Sequence, residues 1–433
     1  MFAGRFLRFT SPRPILHSST RIRRPAMASQ QFSDRAMFPP RAFDSTGFEV
    51  IDPSQLVEEE RLPFYNRDHY YPMRIGEVLK DRYQVVAKLG YGASSTVWLC
   101  RDLSDRSYRV IKAHVNTLKH IQELDVFNHL ASISVEHPGR LHVRQLEDSF
   151  KMKSYNGEHE FFVMTPLGMS MRTLQDLHVG GVFAQSVVKG ALDQVLFGLN
   201  FLHEADVTHT DLHSDNLLIA ITDDSILSKV EEDEIQTPSA RKQVGDDVIY
   251  VSRYMLGGAG PLVICDFGQA RIGNKHIGNA MPVPYRAPEV ILGMEWDNAV
   301  DTWSLGLLIW DFIEREGLFG VYDKASEELN DAHHLAAMTA LLGPPPPEFL
   351  KRSKNTSKYW DIDGKWNGPV PLPDEKKIQS LVTNLTGDDK EEFLDLVSGF
   401  LCWEPEERLT AGQAYYHCWL RGKSDEPIPT VGN

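Results

Sequence analysis

The alternation of hydrophobic and polar positions predicts a first part of the chain that is rich in β-structure. Short alternating segments separated by turn residues predict strands at residues 83–86, 96–100 and 108–111. Because only short turns join these strands, we expect an antiparallel meander. A helix follows around residues 118–130, and two more strand-like segments lie near residues 144–150 and 161–164.

The second part of the chain is predicted to be helical. Beyond Gly168, apolar residues recur at helical spacing just before His209, namely Val187, Leu192, Val195, Leu196, Leu199 and Leu202. The chain is therefore predicted to be α+β, with a small, mainly antiparallel β lobe containing one main helix and a larger, mainly α-helical lobe.

Composition indicates a globular protein with an unusual start. Of the 433 residues, 42% are hydrophobic and 24% are charged, which is ordinary for a folded domain. Residues 1–33 contain six arginines and neither Asp nor Glu, and they resemble a mitochondrial transit peptide. A disordered basic tail and a true start at Met27 are the alternatives. The predicted divisions are a tail at 1–45, an N-terminal extension packing on the main domain at 46–82, the main domain at 83–420 (N-lobe 83–165, C-lobe 168–420) and a C-terminal tail at 421–433.

An acidic stretch interrupts the second part. Residues 222–258 are rich in Asp and Glu and predict an inserted, partly mobile loop. It lengthens the connection between Asp211 and Asp266 to 55 positions, which is far more than two paired strands need. A solvated spacer and a partner-binding segment are both compatible with this composition.

The overall charge limits the classes of partner. The net charge is -15, and the region after the arginine-rich start is more acidic still. An acidic body repels nucleic acid phosphate and attracts basic partners, although charge that serves solubility alone is the alternative. Four widely spaced cysteines predict neither a disulfide framework nor a zinc site. No apolar run approaches the roughly 20 residues of a membrane span. We therefore expect no direct nucleic acid contact and no membrane association.

Two polar clusters carry the candidate chemistry. Asp211, within His-Thr-Asp-Leu-His-Ser-Asp-Asn, would accept the proton of an incoming hydroxyl as a catalytic base. Asn216 in the same cluster and Asp266, which opens Asp-Phe-Gly, would supply hard oxygen ligands for Mg²⁺ on ATP. Both clusters adjoin apolar segments in the order expected of a phosphoryl-transfer site.

A loop of small residues between the first two strands predicts a lid over ATP. It matches G-x-G-x-x-G-x-V with Ser95 at the third glycine, so that backbone amides can approach phosphates. Its position between two strands, and not at the start of a helix, argues against a dinucleotide-binding unit. The residues predicted to bind the nucleotide are Leu89, Gly90, Tyr91, Gly92, Ala93, Ser94, Ser95, Thr96, Val97, Lys112, Met164, Thr165 and Leu167.

Lys112 ends the third strand and can reach the α- and β-phosphates if a carboxylate holds its ammonium group. Glu123 in the next helix is the candidate carboxylate, and an exposed surface glutamate is the alternative. Met164 would guard the adenine pocket, with backbone hydrogen bonds offered by Thr165 and Leu167. Core packing of Met164 is equally compatible.

Further motifs resemble those of the protein kinases. Residues 284–289 (PYRAPE), residues 301–306 (DTWSLG) and Arg408 follow in the order that protein kinases have. The segments that are similar to the serine/arginine-protein kinases, particularly the fungal type, are residues 70–78, 83–90, 94–99, 332–335 (AHHL) and 341–343, together with Thr210. The resemblance covers about residues 60–420.

This resemblance implies the bilobal protein-kinase fold, with ATP and Mg²⁺ as cofactors. It also implies a serine/threonine protein kinase that phosphorylates serine (or threonine) in basic, Arg/Ser-rich proteins and takes part in mRNA splicing regulation. Glu289 and Arg408 would form a buried ion pair, and Asp301 would brace the catalytic loop. We expect a monomer in the cytoplasm and nucleus, or a mitochondrial protein if residues 1–33 act as a transit peptide.

The sequence lacks two features by which phosphorylation of the activation loop regulates many kinases: the arginine that binds the phosphate and a residue that could be phosphorylated. Many kinases grip a phosphorylated activation loop with the arginine that precedes the catalytic aspartate, but Thr210 stands there and cannot form an ion pair. Residues 269–284 contain no Ser, Thr or Tyr. We therefore expect an enzyme that is active as synthesised.

His213 departs from the family pattern. Most serine/threonine kinases have a lysine there that contacts a threonine, and here Pro282 matches that threonine position. An imidazole with the ordinary pKa of about 6.5 is only partly charged at neutral pH and would hold the phosphate less firmly. His213 as a catalytic residue and His213 as a space-filling side chain both remain open. The alternatives to an active kinase are a pseudokinase scaffold and a small-molecule kinase.

Overall fold

The computed structural model describes residues 37–44, 46–321, 329–374 and 377–422. These residues form a small β-rich lobe and a larger helical lobe, joined near residue 165. The predicted α+β, bilobal protein-kinase architecture is therefore confirmed. The transit-peptide prediction for residues 1–33 and nearly all of the predicted C-terminal tail lie outside the described residues.

A six-stranded sheet builds the N-lobe, with the strands in the spatial order β1-β2-β3-β4-β6-β5. Every adjacent pair is antiparallel, so the predicted meander is confirmed. The strands are β1 (Val78–Leu79), β2 (Tyr83–Gly92), β3 (Ser95–Asp102), β4 (Tyr108–His114), β5 (Asp148–Ser154) and β6 (Gly157–Met164).

Two N-lobe elements differ from the sequence-based boundaries. Helix α1 (Gln122–Ser132) begins four residues after the predicted start, and Glu123 lies in its first turn on the buried side. Strand β5 begins at Asp148, not near residue 144, because Val143 and Arg144 leave the sheet to contact Ile264 of the other lobe. This contact ties the back of the N-lobe to the strand that precedes Asp266.

Short strands at the lobe boundary position the chemical clusters. One sheet has the order β12-β9-β7, formed by β7 (Leu167–Ser170), β9 (Leu217–Ala220) and β12 (Leu262–Ile264). A second pair joins β8 (Val207–Thr208) to β13 (Arg271–Ile272). Because Asn216 precedes β9 and Asp266 follows β12, pairing of these two strands brings the two clusters together.

The C-lobe packs helices around α6 (Ala299–Ile313), in which nearly every side chain is buried. Among the helices that the structure describes, none combines the length and the hydropathy that a membrane span requires. The other C-lobe helices are α2 (Met171–Leu177), α3 (Gln185–Glu204), α5 (Pro288–Ile291), α7 (Asn330–Leu342), α8 (Pro347–Leu350), α9 (Ile378–Leu381), α10 (Gly387–Phe400), α11 (Ala411–Tyr415) and α12 (Cys418–Arg421).

The acidic insert has regular structure, so the prediction of a loop at residues 222–258 is wrong. It contains helix α4 (Ser225–Gln236) and a hairpin of β10 (Arg241–Val244) and β11 (Asp247–Tyr250). Helix α4 buries Leu227 and Val230 in an apolar cluster with residues of β2 and β3. Its acidic residues point inward as well as outward, since the carboxylate of Glu231 is buried against Arg101 and Tyr108. The insert therefore packs on the N-lobe.

Candidate active site

Three charged side chains from different elements meet inside the cleft between the lobes. The ammonium nitrogen of Lys112 in β4 lies 2.7 Å from a carboxylate oxygen of Glu123 in α1. The same nitrogen lies 3.3 Å from a carboxylate oxygen of Asp266. His114 also approaches the Glu123 carboxylate, at 3.4 Å. Despite burial, the Lys112 charge lowers the pKa of Glu123, so this carboxylate stays ionised beside its partner.

Asp301 of α6 fixes the backbone of the catalytic loop, residues 209–216. Its two carboxylate oxygens accept hydrogen bonds from the backbone N–H groups of His209 and Thr210, both at 2.8 Å. Thr210 is fully buried and has a left-handed backbone with φ of 66°, which a β-branched residue adopts only when its surroundings enforce it. The predicted bracing role of Asp301 is confirmed.

Hydrogen bonds to Asp211 orient the side chain of Asn216. Its side-chain N–H₂ group donates to the backbone carbonyl of Asp211 at 2.8 Å and lies 3.2 Å from the Asp211 carboxylate. With the amide nitrogen engaged in this way, the amide oxygen is the atom left to bind a ligand. Asp211 is partly buried, with 24% of its side chain exposed, so its carboxylate can be reached from solvent.

The donor set fits a hard divalent cation. Asn216 and Asp266 both line the cleft and offer only oxygen ligands, which Mg²⁺ prefers. Chiefly because of the Lys112 charge, the pKa of Asp266 is lowered, so the carboxylate is available in its ionised form. The residues that the sequence predicted to hold metal are therefore brought together with suitable chemistry.

The turn between β2 and β3 forms the roof of the cleft. An added Cβ at Gly90 or Gly92 would meet no atom within 4 Å, so these glycines leave open space where phosphates could approach the backbone. The hydroxyl of Tyr70, from the N-terminal extension, donates to the carbonyl of Gly92 at 3.0 Å and fixes the turn from above.

The cleft has a volume of about 500 Å³, and most predicted nucleotide-binding residues line it. Thr96 and Thr165 do not contribute side chains. The hydroxyl of Thr96 accepts a hydrogen bond from Trp98 on the other face of the sheet, and that of Thr165 donates to Glu147. The residues that do line the cleft are Leu89, Gly90, Tyr91, Gly92, Ala93, Ser94, Ser95, Val97, Lys112, Met164 and Leu167.

The sequence of residues 83–420 matches the family model of the protein kinase domain. The chain belongs to the protein kinase family. It is 38% identical over 396 residues to a serine/threonine protein kinase of Aspergillus fumigatus, an alignment that covers 90% of this kinase and 97% of the relative. It is 30% identical to the serine/threonine-protein kinase SRPK of Physarum polycephalum, with 84% of this kinase and 91% of the relative covered.

The fold comparison agrees with the sequence comparison. The crystal structure of another kinase domain superposes with a TM-score of 0.62, covering 82% of this chain and 100% of that chain at 22% identity. The named relatives establish a serine/threonine protein kinase. The predicted resemblance to the serine/arginine-protein kinases is confirmed, and the Aspergillus relative agrees with the fungal type. Membership of the family implies the use of ATP and a divalent metal.

The kinase C-lobe contains the predicted buried ion pair. Two nitrogens of Arg408 donate to the two carboxylate oxygens of Glu289 at 2.6 and 2.7 Å, and each side chain is only 1% exposed. Arg408 also donates to the carbonyls of Ala299 and Cys402. This arrangement anchors the end of the activation segment to α6 and to the loop after α10.

The activation segment, residues 266–289, is held in place by hydrogen bonds between protein groups, without a phosphate. The hydroxyl of Thr210 donates to the carbonyl of Gln269 at 2.8 Å, at the start of the segment. In its middle, the indole N–H of Trp296 donates to the carbonyl of Gly278 at 3.0 Å. Near its end, the hydroxyl of Tyr285 donates to Asp311 at 2.5 Å. Thr210 thus replaces an ion pair to a phosphate with a neutral contact to the same segment.

His213 lies between two carboxylates. Its ring nitrogens are 3.5 Å from Asp211 and 3.4 Å from Asp215. Burial opposes the charged form, but hydrogen bonds to Asp211 and Asp215 outweigh it and raise the pKa of His213 to about 9. The expectation of a partly charged imidazole at neutral pH is therefore wrong. The raised pKa favours a positively charged ring beside the predicted base, while the backbone N–H of Asp215 at 3.3 Å and the side-chain amide nitrogen of Asn216 at 3.1 Å also face the two ring nitrogens.

The structure adds cleft residues that sequence reasoning missed. Tyr254 and Met255 of the insert line the cleft. The acidic composition of the insert did not predict that it contributes to this site. Arg144 also lines it and is buried, with its side chain against Met164. Cys265 lies at the floor, where burial raises its pKa to about 11. A protonated thiol reacts slowly, so this cysteine is expected to be chemically inert.

Proposed function

We propose that this kinase transfers the γ-phosphate of Mg-ATP to serine or threonine in basic, Arg/Ser-rich proteins, and that it is active as synthesised. The observation that carries the proposal is the meeting of Lys112 and Glu123 from the N-lobe with Asp266 from the C-lobe, within one cleft. Because both the ion pair and the aspartate must be in place for phosphoryl transfer, this is the geometry of a competent enzyme.

The proposal assigns a role to each of these side chains. Asp211 accepts the proton of the substrate hydroxyl, and Asn216 holds the loop that carries it. Lys112 holds the phosphates, while Glu123 fixes the ammonium group in position. Asn216 and Asp266 hold the metal, which neutralises the triphosphate charge when it is bound. The charged ring of His213 supplies the cation that lysine provides in most related enzymes.

Two observations support a basic substrate. The net charge of -15 favours partners rich in arginine. On the C-lobe, a largely apolar groove of about 980 Å³ has three carboxylates in its lining, Glu314, Glu316 and Asp374, together with Arg315. Glu314 is engaged by Thr383 and Asn384, so Glu316 and Asp374 are the groups with which an arginine would pair. The name of the Physarum relative agrees with this substrate class.

Three observations support activity without activation-loop phosphorylation. The Thr210 hydroxyl holds the start of the segment, and Lys112 already pairs with Glu123. Aromatic contacts of Phe267 with Phe127 and His209 connect α1 to the catalytic loop. These contacts involve no phosphate, and they support the proposal that the elements which other kinases align on phosphorylation are aligned in this chain without it.

The test is phosphate transfer by the full chain to two peptides that differ only in arginine, one of Arg-Ser repeats and one of Ala-Ser repeats. We expect Mg²⁺-dependent phosphorylation that is faster for the arginine peptide and falls at least ~10³-fold in Asp211→Asn. Prior treatment of the enzyme with phosphatase should leave the rate unchanged. Nucleotide binding without transfer would instead identify a pseudokinase scaffold, and equal rates on both peptides would refute the substrate class.

A further inference from the structure

The last part of the insert crosses the outer end of the nucleotide cleft. This part, residues 252–258, is called the strap below. At one end, the backbone N–H of Arg253 donates to the carbonyl of Lys88 in β2 at 2.8 Å. At the other, the backbone N–H of Met169 in β7 donates to the carbonyl of Gly257 at 3.0 Å. The strap is therefore hydrogen-bonded to both lobes, on either side of the segment that joins them.

The two ends of the strap are fixed tightly. An added Cβ at Gly168 would lie 2.1 Å from the carbonyl oxygen of Gly257, so the strap approaches the backbone of β7 as closely as only glycine allows. At the other end, Lys88 is 1% exposed and pairs with Glu58 and Glu59 of the N-terminal extension. The side chain of Arg253 pairs with Glu234, which is buried in helix α4.

Tyr254 and Met255 lie between these anchors. Both line the cleft together with Leu89, Leu167 and Gly168, and the backbone hydrogen bonds of the strap to Lys88 and Met169 place them near the connection between the lobes. Met255 and Leu89 also pack against the same apolar cluster, which contains Leu227 and Val230 of helix α4. Tyr254 is 76% exposed. A large aromatic side chain on an anchored segment beside a cleft is suited to cover the ring of a bound nucleotide. A thioether and an aromatic ring are surfaces that a heteroaromatic base contacts favourably.

We propose that the strap is a third wall of the nucleotide site, in which Met255 packs against the adenosine end of ATP and Tyr254 closes over its outer edge. The inference rests on the proposed use of ATP in this cleft. Its consequence is nucleotide specificity: the wall limits the space beside the ribose, so a bulky group attached to the ribose hydroxyls is excluded. Neither residue touches the transferred phosphate, so both act on binding and not on the chemical step.

The test compares the binding of ATP and of ATP carrying an N-methylanthraniloyl group on the ribose, both with Mg²⁺ and the full chain. We expect the wild type to prefer ATP by at least ~10-fold, because the added group has no room beside the strap and forces an overpacked contact. In Tyr254→Ala and Met255→Ala, the preference should fall below ~3-fold, and the affinity for ATP should fall by about 3- to 10-fold. The conservative Met255→Leu should keep the wild-type preference, since it preserves the apolar volume.

Tyr416→Ala is the matched control, because Tyr416 is also an exposed tyrosine (77%) but lies after α11 in the C-lobe. It should leave both affinities unchanged. Equal discrimination by the wild type, Tyr254→Ala and Met255→Ala would overturn the third wall and leave the proposed kinase activity intact. A wild type that binds neither nucleotide would instead overturn the proposed function, and this inference with it.

Discussion

Replacement of Arg408 by methionine should destabilise the kinase strongly, because it leaves the Glu289 carboxylate charged and buried. Both side chains are 1% exposed, and their two hydrogen bonds measure 2.6 and 2.7 Å. Removing one member of such a pair costs about 3–5 kcal/mol, since the remaining charge has lost its partner. For a domain of this size we expect Tm to fall by roughly 4–7 °C. The assay is thermal unfolding of Arg408→Met, followed by circular dichroism.

The same reasoning predicts that a second substitution partly rescues the first. Glu289→Met/Arg408→Met contains no unpaired charge, so it should be less destabilised than the sum of its two single variants by about 2 kcal/mol. Arg352→Met is the matched control: its side chain is 35% exposed and pairs with Glu404 and Glu406 at the surface, so it should cost no more than about 1 kcal/mol. A Tm within 2 °C of wild type for Arg408→Met, or strict additivity in the double variant, would refute the reasoning.

Two further predictions concern the activation segment and the pH dependence of stability. Thr210→Val keeps the shape of the side chain but leaves the Gln269 carbonyl without its 2.8 Å partner, so we expect kcat on a peptide to fall about 10-fold with an unchanged KM for ATP; a wild-type kcat would contradict the role of this contact. Chiefly through burial, the pKa of His334 is lowered to about 3. Only the unfolded chain then takes up a proton near pH 6.5, so stability should decrease as the pH falls below that value, by about 1.4 kcal/mol at pH 5.5. His334→Phe should remove that part of the decrease in chemical denaturation at pH 7.5 and 5.5, and an identical pH profile in wild type and variant would show that His334 does not cause it.

The sequence predicted those features that depend on local pattern and on motif order. Alternation predicted the meander, and the order of the two clusters with their adjoining apolar segments predicted that Asp211, Asn216 and Asp266 belong to one site, which the pairing of β9 with β12 assembles. The orientation of Thr96 could have been predicted too. Neighbouring strand residues point to opposite faces, so with Val97 in the cleft, Thr96 has to face away from it.

The insert could not be predicted because its partners are distant in sequence. Its carboxylates indicated a solvated segment, but Glu231 and Glu234 are buried by pairing with arginines, Arg101 for the former and Arg253 for the latter. Composition gives the number of charged residues but does not show which of them pair with each other and become buried. The raised pKa of His213 escaped prediction for the same reason, since it depends on how two nearby aspartates are turned towards the ring.

The most direct test of the central claim is calorimetric binding of ATP, with and without Mg²⁺, to wild-type kinase and Asp266→Asn. Asp176→Asn is the control, because that carboxylate is 61% exposed and pairs with Arg172 on α2, outside the cleft. We predict that Mg²⁺ strengthens ATP binding at least ~10-fold in the wild type and the control, and that Asp266→Asn loses this enhancement. An equal magnesium effect in all three proteins would contradict the assembly of Lys112, Asn216 and Asp266 around one nucleotide.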